Sequence, residues 1–207
     1  MTAVPDGLST LHQKSDEWFA RARASLLGEL PCRQGCCRCC HGTFAITRLD
    51  AVEIQRGLDG LEPSVRADIQ LRAARQRSQI ESAFPQLQAS VSLDAWPDAV
   101  LDDVAQRFRD LPCPALHADG SCRVYRFRPV TCRMMGIPIE SGQTSEGACD
   151  VQTAIPIKRL PRVLREEESR LAEQEAAELR RPGDRPGCGD EVLLPYGFLR
   201  DWPARPR

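Results

Sequence analysis

The densest group of reactive side chains in this sequence is a run of five cysteines within nine residues: Cys32, Cys36, Cys37, Cys39 and Cys40. Cysteines this close together cannot form many mutual disulfides without strain, whereas a metal gathers thiolates at short spacing. Metal chelation is therefore the leading interpretation of this first cysteine block.

A helix beginning at Gly35 would place three of these side chains on one face, at positions i, i+3 and i+4: Cys36, Cys39 and Cys40. On such a helix Cys37 points mostly elsewhere. Cys32 can join the others from the preceding turn.

A second cysteine block follows far along the chain, with the spacing C-x8-C-x9-C at Cys113, Cys122 and Cys132. An Asp-Gly turn signal separates its first two cysteines, and residues 123–127 are predicted to form a short strand. Pro129 suits the start of a helix, which would place Cys132 in the first turns, where the helix dipole favours a thiolate. Cys149 follows a loop rich in Gly and Ser.

Positive and imidazole side chains flank both blocks. His41 and His117 could each complete a site of three thiolates and one imidazole, or lie outside it as hydrogen-bond donors or surface residues. Cys37 and Cys188 are predicted to be peripheral thiols. Six arginines could lower thiol pKa values and offset thiolate charge, unless they are ordinary surface residues: Arg33, Arg38, Arg123, Arg126, Arg128 and Arg133.

The two blocks together resemble the YkgJ-type cysteine-cluster family, a zinc- or iron-chelating domain. The resemblance covers about residues 32–150, and its more specific part is the second block, which reads CPAL and then GSCRVYRFRPVTCR. The family usually has C-x2-C-x2-C-C in the first block. This chain has one extra residue after Cys32 and an extra cysteine, so the choice between Cys36 and Cys37 as the ligand stays open.

We predict eight metal ligands, which would suit two four-cysteine sites or one or two iron-sulfur clusters: Cys32, Cys36, Cys39, Cys40, Cys113, Cys122, Cys132 and Cys149. Iron, alone or in an iron-sulfur cluster, is slightly favoured because the adjacent pair Cys39-Cys40 and the C-x3-C-x2-C run suit a multi-iron centre. Zinc is the alternative, since all-thiolate ligation fits both metals.

Two classes of function fit this pattern. The first is a metal-binding module, structural or metal-handling, whose metal is enclosed by protein ligands. The second is an iron-dependent metalloenzyme, because one branch of the family is similar to flagellin lysine N-methylases and the C-x3-C-x2-C run has the spacing of radical S-adenosylmethionine enzymes. Those enzymes resemble partial barrels of strands and helices, whereas this sequence has little strand pattern.

Charge and hydropathy limit the partners and the compartment. The chain carries 28 Lys and Arg against 29 Asp and Glu, a net charge of -1, so nothing global favours nucleic acid or an acidic membrane. It has no stretch of about 18 consecutive apolar residues and no signal-peptide pattern. We therefore expect a soluble, cytoplasmic protein, where ten cysteines are metal ligands or redox groups rather than a disulfide framework.

The apolar periodicity predicts a mainly α-helical single domain over residues 1–207, with the cysteine-cluster core at about 32–150. Helices are expected at residues 8–27, 48–58, 64–84, 94–111 and 161–181. Thr47 and Pro63 are good helix-start residues, and His12 is expected to be a core or solvent histidine. The apolar tail at residues 192–202 is expected to pack back on the domain.

Overall fold

Helices dominate the computed structural model, which describes residues 9–26, 35–141, 144–146, 159–180 and 190–199. The strands in these ranges are only three residues long, so the predicted mainly α-helical class is confirmed. Among the described helices, none is both long enough and apolar enough to cross a membrane. Cys32, Cys149 and Cys188 lie outside the described residues, as do parts of the loop before Cys149 and the end of the tail.

The described helices, in chain order, are α1 Thr10–Ser25, α2 Arg48–Asp59, α3 Pro63–Ala83, α4 Asp98–Arg107, α5 Val130–Met134, α6 Arg162–Leu179 and α7 Leu194–Gly197. Three short 3-10 helices are at Arg38–Cys40, Pro85–Gln88 and Tyr125–Phe127. The strands are β1 Ala45–Thr47, β2 Ile139–Ser141, β3 Thr144–Glu146 and β4 Glu191–Leu193.

The starts of α1, α2 and α3 follow from local sequence. The Ser9 hydroxyl caps α1 by accepting from the His12 N–H. Thr47 and Asp50 form a capping box at the start of α2, each side chain accepting from the other residue's N–H. Pro63 occupies the first turn of α3, where its missing N–H costs nothing.

One of the two strand pairs connects distant parts of the chain. Strands β1 and β4 are antiparallel, with Ile46 opposite Val192, and β2 and β3 form a small antiparallel pair. The β1–β4 pair joins the segment before α2 to the tail, whose residues Val192 through Leu199 are buried. The described part of the tail therefore packs back on the domain as expected.

The larger apolar core lies between α2, α3, the β1–β4 pair and α7. Its fully buried side chains include Ile54, Ile69 and Phe198. A smaller cluster around Trp18, Leu26 and Ile137 lies where α1 meets α5 and α6, and the Trp18 indole Nε1 donates to the Leu164 carbonyl at 2.8 Å.

Two sequence predictions of local structure are corrected. The segment predicted as a strand at residues 123–127 instead contains the 3-10 helix Tyr125–Phe127, because the N–H groups of Tyr125 and Phe127 bond to nearby carbonyls of Cys122 and Val124. The helix predicted at 94–111 is shorter, Asp98–Arg107, since Asp94 instead uses its carboxylate to accept from the backbone N–H groups of Asp190 and Glu191.

Gly57 allows α2 to touch the 3-10 helix that precedes α5. A Cβ at Gly57 would lie 2.8 Å from the Phe127 Cβ, and that atom cannot rotate away because the backbone fixes its position. We expect Gly57→Ala to lower the free energy of unfolding by about 1 kcal/mol, since the overpacking penalty exceeds the gain in helix propensity. Urea denaturation measures this change.

Gly60→Ala is the matched control at the end of the same helix. Gly60 has φ -84° and ψ -5°, which alanine adopts freely, and its nearest neighbour to a new Cβ is 3.6 Å away. This variant should be unchanged or more stable by about 0.5 kcal/mol. Equal destabilisation of the two variants would contradict a specific Gly57–Phe127 contact.

Candidate metal centre

Six cysteines from the two sequence-distant blocks line one cavity of about 90 Å³. They are Cys36, Cys39, Cys40, Cys113, Cys122 and Cys132, and the structure shows them as free thiols. These six are all of the predicted ligands that fall within the described residues. The fold therefore brings together side chains that the sequence keeps far apart.

Backbone pairing between the blocks explains how Cys40 and Cys113 meet. His41 and Pro112 form an antiparallel bridge. On its two sides the Cys113 N–H donates to the Cys40 carbonyl at 2.7 Å, and the Gly42 N–H donates to the Leu111 carbonyl at 2.8 Å. The position of each block is thus fixed by the other, through main-chain bonds that do not depend on side-chain identity.

The first block is a turn rather than the helix considered from its sequence. Gly35 has φ +89°, a left-handed conformation that interrupts a helix, and the 3-10 helix Arg38–Cys40 follows. The Cys40 N–H reaches back to the Cys37 carbonyl at 3.0 Å. Even so, Cys36, Cys39 and Cys40 all face the cavity. Cys37 is not among the described residues that line it.

Gly120 forms the contact between the tips of the two blocks. It has φ +83°, and a Cβ there would lie 3.1 Å from the Gly35 carbonyl oxygen and 3.8 Å from the Cys37 sulfur. The turn around Gly120 is closed by its own N–H bond to the His117 carbonyl at 3.0 Å. Flanking this turn, Leu116 and Cys122 form an antiparallel bridge that directs Cys122 to the cavity.

Two side chains of helix α3 bind main-chain carbonyls of the second block. The Gln76 Nε2 donates to the Pro112 carbonyl at 2.7 Å, and the Arg72 guanidinium donates to the Leu116 carbonyl at 2.8 Å. Both bonds satisfy carbonyls on either side of Cys113, so this loop is anchored at two points. Sequence reasoning missed these contacts, because Arg72 and Gln76 look like the exposed polar residues that flank them.

Cys132 is placed by a buried carboxylate. The Asp50 Oδ1 accepts from the Val130 N–H at 2.8 Å and lies 2.8 Å from the His12 Nε2. The first of these bonds caps the start of α5, on which Cys132 lies. His12 and Asp50 are 0% and 1% exposed, so His12 is a core histidine, which is one of the two environments expected for it, and Asp50 is its partner.

An excess of positive charge lies beside the sulfurs. Asp16 accepts from Arg128 at 3.1 Å and from Arg133 at 2.9 Å, so two guanidinium groups share one carboxylate. Arg133 is fully buried, and Arg128 lies over the Tyr125 ring while lining the cavity. Arg128 therefore brings positive charge to the cavity lining.

The thiols respond unequally to this environment. The hydrogen bond from the Cys40 thiol to the Cys39 sulfur lowers the pKa of Cys39 to about 7, with a smaller contribution from Arg128, and it raises the pKa of Cys40. Burial, together with the charge of Cys122, raises the pKa of Cys113 to about 12. Burial likewise raises the pKa of Cys122 and of Cys132, so several thiolates at once are unfavourable in the absence of a cation.

The two histidines considered as ligands are elsewhere. His41 is exposed and its Nδ1 lies 3.2 Å from the Cys37 carbonyl oxygen, and His117 faces Asp119 at 2.9 Å. Within the described ranges, no three His, Cys, Asp or Glu side chains stand in an arrangement that could already hold a metal ion. The donor chemistry and the shared cavity suit a metal, but the sulfurs would have to draw together around it.

We expect Asp50→Asn to lower the free energy of unfolding by about 1–3 kcal/mol, because an amide offers one acceptor oxygen and sets an N–H group against donors such as Val130 and His12. Chemical denaturation measures the loss. Asp103→Asn, on the exposed side of α4, is the control and should stay within about 0.5 kcal/mol of the parent protein. A similar small effect at both positions would mean that the Asp50 bonds contribute little.

Comparisons of this chain with models of protein families, with curated proteins and with solved structures find no match. Its function must therefore be inferred from the residues of the cavity and their chemistry. The most informative feature is the convergence of cysteines from two distant parts of the sequence.

Proposed function

We propose that this chain is a metal-binding cysteine-cluster protein of the YkgJ type. The observation that carries the proposal is the single cavity shared by cysteines of both blocks. Unrelated free cysteines have no reason to converge, since each behaves as a small apolar side chain wherever it is buried. Thiolates that must bind one centre have to converge.

The proposed ligands are the six cysteines of the cavity together with Cys32 and Cys149. Cys36 is preferred over Cys37, because Cys36 lines the cavity and Cys37 contacts the turn at Gly120 instead. A bound cation would offset the burial and the repulsion between sulfurs that raise the pKa of Cys113 and of Cys132. Arg128 and Arg133, which share Asp16, would balance the remaining negative charge of the thiolates.

Iron, alone or in an iron-sulfur cluster, is slightly favoured as the metal, with zinc as the alternative. The cavity offers about 90 Å³, whereas one water molecule needs only about 10–15 Å³ on this scale. That room supports a centre of several atoms more than a single tetrahedral ion. Eight thiolates would also be enough for two four-cysteine zinc sites.

Metal content of paired cysteine variants tests the proposal. Protein purified anaerobically should contain stoichiometric metal, and Cys36→Ser and Cys132→Ser should each lose most of it because each removes a ligand. Cys37→Ser should keep the full content, since its side chain does not line the cavity. Elemental analysis, sulfide determination and a visible spectrum are the measurements.

The colour and composition of the purified protein separate the two metals. Brown protein with iron and labile sulfide would support a cluster, and colourless protein with zinc would support the closed zinc module. Protein that contains no metal under anaerobic conditions, or metal that survives in Cys132→Ser and not in Cys37→Ser, would overturn the proposed ligand set.

Removal of the metal should also destabilise the fold. Because the ligands come from segments separated by α2, α3 and α4, a metal that binds only the folded chain holds distant elements together. We expect a chelator to lower Tm by several degrees, and re-addition of the metal to restore it. Identical melting curves before and after chelation would exclude a structural role for the metal.

The metalloenzyme alternative is supported by the composition of the cavity wall. Besides its cysteines, the cavity has a wall of apolar side chains that a purely structural metal site does not require. If one side of the metal centre were open, a substrate with an apolar part could lie against these apolar side chains and reach the metal.

A further inference from the structure

Part of the cavity lining is apolar. Its wall is formed by side chains from α1, from the segment before β1, from the residues around α5 and from α7: Phe19, Phe44, Val124, Met135, Leu194 and Phe198. Apart from the Met135 thioether, none of these side chains can bind a metal ion, so most of this wall is not accounted for by chelation. An apolar wall beside a few polar groups is the usual composition of a small-molecule site.

Two cations complete the lining. Arg23, in the last turn of α1, is exposed and therefore lies where the cavity opens to solvent. In the described part of the chain Arg23 has no ion-pair partner. Arg128 is 9% exposed and shares the Asp16 carboxylate with Arg133, so its charge is only partly neutralised.

We propose that this cavity binds a small organic carboxylate with a short alkyl chain. The alkyl chain would lie against Phe19, Phe44 and Phe198, and the carboxylate would lie toward Arg23 and Arg128. A carboxylate accepts charge-assisted hydrogen bonds from guanidinium groups, whereas an amine of equal length would be repelled by both arginines. The carboxylate and the proposed metal centre would compete for this one cavity, so the site belongs to the metal-free protein and its test does not require a metal.

The size of the cavity limits the ligand. An engineered apolar cavity of about 150 Å³ binds benzene, and this cavity of about 90 Å³ is smaller. On the same scale the enclosed space holds about four carbon atoms of an alkyl chain. A fully polar anion such as inorganic phosphate would leave the apolar wall without a partner and would lose its own hydration.

Titration with straight-chain monocarboxylates tests the proposal. Butanoate, hexanoate and octanoate are titrated into the full-length protein by calorimetry, both as purified and after metal removal. Affinity should rise from butanoate to hexanoate as apolar surface is buried, and then level off once the enclosed space is full. Hexylamine and hexanol, which have the same chain length, should bind at least about tenfold more weakly.

Arg23→Gln supplies the residue-level test. It should weaken hexanoate binding about tenfold without changing that of hexanol, because it removes one charge and leaves the apolar wall intact. Arg75→Gln, an exposed arginine on α3 outside the cavity lining, should bind hexanoate like the parent protein. Circular dichroism and metal content of both variants would verify that each is folded and equally loaded.

Equal affinity for hexanoate and hexylamine, or an Arg23→Gln variant that binds hexanoate normally, would overturn the carboxylate site. Absence of hexanoate binding in both the metal-loaded and the metal-free protein would overturn it too. Binding of hexanoate by protein that never contains metal would support this site while refuting the proposed metal function, so the two failures are distinguishable.

Discussion

The carboxylate of Asp50 is the interaction on which the placement of the other elements depends. It lies inside the protein and accepts from groups on three separate elements: the His12 imidazole of α1, the Thr47 N–H before α2 and the Val130 N–H that begins α5. A buried carboxylate requires several donors to offset its lost hydration, and buried donors equally require an acceptor. One side chain near the cysteines therefore joins α1, the start of α2 and the start of α5, in addition to apolar packing.

A second constraint comes from the main chain. The bridge between His41 and Pro112 joins the two cysteine blocks before any metal is considered, and Gln76 and Arg72 hold the second block against α3. The thiols are thus gathered by bonds to which no sulfur contributes. The positive groups around Asp16 make the same region favourable for negative charge. These hydrogen bonds fix where the cysteines meet before a metal binds, while the sulfur atoms can still move when it does.

The elements best predicted from the sequence were those that local chemistry determines. Thr47 marks a helix start through a hydrogen bond within a few residues, and Pro63 marks one because its fixed φ suits a first turn. The first cysteine block was not predictable in the same way, because its turn is stabilised by pairing with residues 111–113 and by the left-handed backbone of Gly35. The role of His12 was hidden for a similar reason. Its partner, Asp50, lies on another helix, so the sequence around His12 does not indicate the pair.

The cavity wall also has a consequence for the order in which the protein is made. Leu194 and Phe198 form part of the wall, and they are held by bonds from the Leu194 N–H to the Phe44 carbonyl and from Gln55 to the Gly197 carbonyl. Because a ribosome synthesises the cysteine blocks well before this segment, the nascent chain carries its thiols with one wall missing. The thiols of both blocks therefore stay open to metal donors and oxidants until residues 190–199 have left the ribosome and completed the wall.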